Sequence, residues 1–261
     1  MPPKVQKGST TMHTIFSNTH HPFSVKTFGK KFLLSFCIGC LFSSLLLHPH
    51  HTKAAVYKKG FTYRKLTPAI KKKITGVSYR KNPYITYNDL RYIRVLYYDF
   101  HGDIQSGELI VNKKIVKKVV KIFYQLYKMK YPIERMQLID AYHADDLKSM
   151  AANNTSAFNY RPVAGTNRLS NHSYGLAIDI NPRINPYINS HKKLTPTNGA
   201  VYQCRDPKKC KGKYARYMIK KNSRITKIFK KYGFSWGGDW VYSKDYQHFE
   251  YTIVNVYFAK H

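Results

Sequence analysis

Two rhythms of apolar positions run along this chain. Between Lys113 and Lys128, the residues Ile115, Val116, Val119, Val120, Phe123, Leu126 and Tyr127 recur at three- and four-residue steps, with lysines on the other side. That period predicts an amphipathic helix. Asn112 suits its N-cap, and Pro132 marks its far side. A second helix is predicted from Ser223 to Lys231, with Ile225, Ile228 and Phe229 inward and Gly233 as its stop. Leu147 to Asn154 fits a helix or a turn. Extended segments are predicted near 92–99 and at Leu109 to Val111, Met136 to Tyr142, Leu176 to Ile180, Trp240 to Tyr242 and His248 to Tyr257. Gly102 and Gly107 read as loop punctuation between the first two. Pro182, Pro186 and Pro196 mark a long irregular loop. Helices and strands are mixed without a βαβ rhythm. The expected class is α+β, a single compact domain with a small, mainly antiparallel sheet flanked by helices.

The first 54 residues follow neither rhythm. They hold six lysines and no acid, and Lys26, Lys30 and Lys31 precede an apolar run from Phe32 to Leu47. Basic residues, an apolar core and then Thr52 and Ala54 before Ala55 are the order of a secretory signal. The run is 16 residues long, short of the ~20 that span a bilayer comfortably. A signal peptide is the first expectation; an uncleaved membrane anchor and a buried core segment are the alternatives. The chain thus divides into a leader at 1–54, a basic extension at 55–84 and a main domain at 85–261. The expected location is outside the cytoplasmic membrane: periplasm, cell wall or extracellular, with membrane attachment only through an uncleaved leader.

Charge narrows the partners. The formal net charge is +32, and only six of the basic residues lie in the leader. No nucleic-acid motif accompanies this field, and export weighs against a nucleic-acid partner. Anionic polymers of the envelope fit better; a generally Lys-rich, solvated surface is the plainer alternative. Four cysteines are present, with Cys37 and Cys40 inside the leader. Cys204 and Cys210 flank a five-residue loop. In an oxidising compartment they can close a disulfide, with two free thiols as the alternative.

Six of the 12 histidines lie in the leader, leaving His101, His143, His172, His191, His248 and His261. His172 and Asp179 stand seven residues apart across Gly175. His248 has acids on both sides, Asp245 and Glu250. Two imidazole nitrogens and one carboxylate suit a catalytic zinc, which takes three protein ligands and keeps a fourth position for water. The remaining acid could serve as a base for that water. Glu250 rivals Asp245 for that role. Strand alternation puts it on the same face as His248, where orienting the ligand suits it better. Asp245 as a turn residue is the structural alternative.

Ser170, His172, Gly175, Ala177 and Asp179, joined to Asp245 and His248, resemble the zinc D-alanyl-D-alanine carboxypeptidase family of peptidoglycan peptidases. Its relatives include D-Ala-D-Ala dipeptidases and L-alanyl-D-glutamate endopeptidases. Ser149-Met150, the run Asn153 to Asn159, Arg161 and the run Trp236 to Trp240 extend the likeness, which covers about residues 85–257. The resemblance implies zinc ligands His172, Asp179 and His248, and Asp245 as general base. It implies Arg161 as the cation on the scissile carbonyl, with Ser170 lining the site near substrate. Arg161 also suits the carboxylate end of a peptide, or a structural ion pair. The implied substrate is a peptidoglycan stem peptide, cut at its terminal D-Ala-D-Ala bond. An L-alanyl-D-glutamate endopeptidase and a non-catalytic cationic wall-binding protein are the alternatives. Trp236 and Trp240 fit core or cleft wall better than substrate contacts.

Overall fold

The computed structural model describes residues 53–253. The leader expected at 1–54 lies almost wholly outside them, as does the end of the segment expected to be extended up to Tyr257. No helix among the described residues is long and apolar enough to cross a membrane.

The first sheet is a four-stranded antiparallel meander. It consists of β1 (Ala55–Lys58), β2 (Phe61–Lys65), β3 (Leu90–Tyr98) and β4 (Ile104–Asn112), in spatial order β1-β2-β3-β4. Residues 55–84, read from the sequence as an extension, contribute β1, β2 and the helix α1 (Pro68–Ile74), which Thr67 caps through its hydroxyl. Alternation in β3 and β4 builds two cores from one sheet. Ile93, Val95, Leu109 and Val111 face the main core, whereas Leu90, Tyr92 and Ile110 join Ile70, Ile74 and Leu138 on the other face.

The strand β4 is longer than predicted because Gly107 lies inside it. A Cβ there would stand 2.6 Å from the Met136 sulfur, so the glycine admits the 136–138 segment against the sheet. That segment is not the predicted strand. Its apolar residues are buried, but Ile139–Tyr142 coil into a 3-10 turn that ends at His143 with φ of 55°.

The long helix is α2 (Val116–Lys128); five of its six buried residues are those the period selects, and Ile122 is buried as well. Asn112 sits three residues too early to be its N-cap, which is Ile115. The Asn112 carboxamide oxygen still accepts from the Lys114 amide, while its nitrogen donates to the Tyr174 carbonyl at 3.0 Å. This ties the start of α2 to the turn that carries His172. A short helix follows, α3 (Asp146–Ala151), capped by Asp145.

The main core continues into a second antiparallel sheet. Its strands are β5 (Ala177–Asp179), β10 (His248–Glu250) and β8 (Ser235–Trp236), in order β5-β10-β8. Helix α4 (Arg224–Lys231) packs on it, with Phe229 stacked on Phe249 at 3.9 Å between ring centroids. Such a pair contributes about 0.5–1.5 kcal/mol beyond the area it buries. A third small sheet, β7-β6-β9, joins β7 (Leu194–Thr195), β6 (Tyr187–Ile188) and β9 (Lys244–Asp245) within the proline-rich region. Trp240 to Tyr242 form a bend rather than a strand, and the side chains of Val241 and Tyr242 face solvent. These elements match the α+β class expected from the sequence. Cys204 and Cys210 are bridged.

Candidate metal centre

Strand register sets the centre. In the β5–β10 pair, His248 lies directly opposite Asp179. Directly opposed residues hold their Cβ atoms ~4.5–5.5 Å apart, so two side chains on the same face must meet. His172 approaches from the 3-10 turn Asn171–Tyr174, just before β5. The Ser170 hydroxyl caps that turn by accepting from the His172 amide, and Gly175 ends it at φ of 64°. Ala157 to Arg161 run alongside. Asn159 N–H donates to the His172 carbonyl, Ser170 N–H to the Arg161 carbonyl, and Arg161 N–H to the Ser173 hydroxyl.

The three donor atoms converge in a buried site. His172 Nε2 lies 3.2 Å from Asp179 Oδ2 and 3.3 Å from His248 Nδ1, which lies 3.0 Å from Asp179 Oδ1. All three residues are buried, and each offers one ligand atom within 4.8 Å of the others. Donor atoms 2.0–2.2 Å from a tetrahedral ion stand roughly 3.3–3.6 Å apart, so the spacing fits such an ion with little adjustment. The outward nitrogens agree. His172 Nδ1 donates to the Ala157 carbonyl at 2.5 Å, and His248 Nε2 faces Glu250 Oε2 at 3.2 Å. In the neutral ring each contact favours the proton on the nitrogen away from the cluster, so that the inner nitrogen can coordinate once any second proton has left.

Electrostatics inside the cluster are strong. Burial opposes the charge on Asp179, yet the two imidazoles hold its carboxyl far below the usual range. Burial likewise opposes the His248 imidazolium, but Asp179 and Glu250 outweigh it and raise the ring to about 10. Glu250 is lowered by its hydrogen bond to His248, and Asn171 Nδ2 donates to it at 2.5 Å.

Asp245 stands on β9, three residues before His248. Gly237 fills the space between them: a Cβ there would lie 2.8 Å from the Asp245 Cβ and 3.3 Å from the His248 Cβ. Asp245 Oδ1 is buried without a hydrogen-bond partner. Burial pushes this carboxyl up to about 7, with the Asp179 charge adding to the shift and His248 opposing it. Trp240 lies beside the cluster, its ring 5.4 Å from that of His248. Trp236 is core, buried against Phe249 with its indole N–H donated to the Tyr246 carbonyl.

Two residues meet partners that the sequence did not reveal. Arg161 forms an ion pair with Asp146 of α3, Nη2 to Oδ2 at 2.5 Å, while its Nε has no partner. Ser170 is buried, with its hydroxyl occupied by the cap. Asn171 and the Ala157 carbonyl, which steady Glu250 and His172, did not stand out in the sequence. Asn171 adjoins His172 inside the motif, but a backbone carbonyl leaves no signature in residue identity.

Two imidazoles and a carboxylate in this arrangement form a centre that could hold a single metal ion, as a metallopeptidase requires. Residues 164–251 match the family model described as D-alanyl-D-alanine carboxypeptidase. The match covers about a third of the chain, spans His172, Asp179, Asp245 and His248, and bears out the resemblance over that segment. Neither the curated proteins nor the solved structures gave a match.

Proposed function

We propose that the protein is an exported, zinc-dependent carboxypeptidase that removes the terminal D-Ala from peptidoglycan stem peptides. The observation that carries this reading is the convergence of His172 Nε2, Asp179 and His248 Nδ1 near Asp245, whose Oδ1 is buried without a hydrogen-bond partner. The family match supports a peptidoglycan substrate. The leader pattern and the Cys204–Cys210 bridge favour an oxidising compartment outside the cytoplasm.

His172, Asp179 and His248 would hold the ion. Bound zinc supplies a water acidified to near neutrality, ~7, and an electrophile for the scissile carbonyl. Everything else falls to the chain. Asp245 Oδ1 takes a proton from the attacking water and delivers it to the leaving amine. Burial favours the protonated form of this carboxyl in the metal-free protein, which suits it to hold the proton between the two transfers. The Asp146 carboxylate holds Arg161 Nη2, and the guanidinium would stabilise the negative charge that develops on the carbonyl oxygen. Glu250 orients His248 rather than acting as the base, since its carboxylate is already engaged by His248 and Asn171. Ser170 acts through the cap that sets the His172 turn.

Mass spectrometry of a pentapeptide incubated with purified protein tests the bond assignment. Loss of one D-Ala supports the carboxypeptidase reading. Cleavage between L-Ala and D-Glu would replace it with the endopeptidase.

A further inference from the structure

Two stretches of the chain contain no acid, 113–133 with seven lysines and 207–238 with eleven lysines and arginines. The fold lays them side by side. Gln125 of α2 donates to the Tyr232 hydroxyl at the end of α4, and Tyr131 donates to the Tyr217 carbonyl. Among the described residues, salt bridges take up only Lys113 and Lys230 of these cations. The inward faces of both helices are buried, so Lys117, Lys121, Lys128, Lys220, Lys227 and Lys231 all point to solvent. Lys117 and Lys121, and Lys227 and Lys231, stand one helical turn apart, roughly 6 Å between Cβ atoms, so their fields add within the Debye length of ~8 Å at physiological salt.

A groove of about 250 Å³ runs between the end of α2 and the start of α4. Lys130, Arg216 and Arg224 line it above Met129, Tyr131 and Ile225. It is smaller than the ~300–1,000 Å³ pockets that take small organic ligands. A groove of that size would take one anionic unit of a longer chain rather than a whole organic ligand. The guanidinium fork matches the paired oxygens of a phosphate.

We propose that this face binds a linear phosphodiester polymer, independently of which peptide bond the metal centre cleaves. A membrane surface fits less well, because neither stretch carries an exposed large hydrophobic side chain that could insert. Single-stranded nucleic acid fits less well too, because the Tyr217 ring is already covered by Arg216 at 4.7 Å and no open stacking platform lies beside the groove.

The test measures binding of the full chain without its leader to poly(glycerol phosphate) at physiological salt. Poly-L-glutamate of matched length, single-stranded DNA and anionic phosphatidylglycerol vesicles are the competing probes. The triple variant Lys130→Gln, Arg216→Gln, Arg224→Gln removes the groove cations. The triple variant Lys59→Gln, Lys72→Gln, Lys81→Gln removes the same charge from exposed sites elsewhere. The expected result is a loss of about tenfold or more for the groove variant, under about threefold for the control, and tightest binding to the phosphate polymer. Melting curves and cleavage of a short soluble peptide should match wild type in both variants, since neither touches the metal centre. Equal losses in the two variants would reduce the face to diffuse charge and overturn the proposal. So would tighter binding to polyglutamate, DNA or vesicles.

Discussion

His172 Nε2 and His248 Nδ1 lie 3.3 Å apart, although 76 residues separate them in sequence. Two imidazoles at that distance would repel if both were protonated. The site keeps them together by placing the Asp179 carboxylate between the rings and an oxygen acceptor behind each one. This is the arrangement of a site built around a cation.

Loss of a ligand should empty the site without unfolding the chain. We expect His172→Ala and Asp179→Asn to bind less than a tenth of one equivalent of zinc after stripping and reloading, as measured by elemental analysis, with peptidase activity lost. The wild type should bind about one equivalent. Full zinc retention by both variants would remove these residues from the ligand set.

Glu250 acts through His248. Partners of this kind typically alter metal affinity by about 10–100-fold. We expect Glu250→Gln to weaken zinc binding within that range in a chelator competition while kcat at saturating zinc falls less. Unchanged affinity would show that the 3.2 Å contact to His248 does not tune the ligand.

Asp245→Asn should separate chemistry from metal binding. General-base loss typically costs about 10²–10⁴ in rate. We expect kcat to fall by that amount with zinc content unchanged. An activity loss that tracks zinc loss instead would make Asp245 part of the metal's support.

Proton linkage gives the metal-free protein a definite pH dependence. His248 is raised to about 10 and Asp245 to about 7, so both groups bind protons more tightly folded than unfolded. Stability from His248 is fully present below about 6.5 and is lost as pH rises through about 10. The Asp245 contribution is lost between about 4 and 7. The melting temperature of chelated protein should therefore fall from pH 6 to pH 10. Zinc must displace the His248 proton, so calorimetry in two buffers at pH 7.5 should show proton release on binding. Zinc uptake without proton release would contradict this balance.

Gly175→Ala should destabilise the fold by more than about 1 kcal/mol. The residue sits at φ of 64°, and an added Cβ would stand 2.7 Å from the Asn112 amide nitrogen. Chemical denaturation measures this directly. A neutral result would mean that the turn after His172 relaxes freely.

The sequence carried the chemistry more fully than the architecture. His172, Asp179 and His248 were legible because a short-range motif fixes the first two and a second cluster supplies the third. The β5–β10 register that joins them is a long-range pairing, which no local pattern encodes. Helices α2 and α4 were legible because their apolar positions recur at helical steps without interruption, over thirteen residues in α2 and eight in α4. The 136–142 segment was misread because burial in an irregular turn selects the same apolar residues as a strand. Gly107 was misread because the packing of Met136, far along the chain, decides its place in β4. The Arg161–Asp146 pair was hidden for a similar reason: charge type is visible in sequence, but the partner is not.

The central claim is that these residues form a metal-dependent peptidase site for wall peptides. It is tested most directly by incubating chelator-stripped protein with a D-Ala-D-Ala pentapeptide, with and without one equivalent of zinc, and weighing the products. The account predicts tetrapeptide and free D-Ala only with zinc, and none from His172→Ala. An intact pentapeptide and an uncut L-Ala-D-Glu bond in the presence of bound zinc would contradict it.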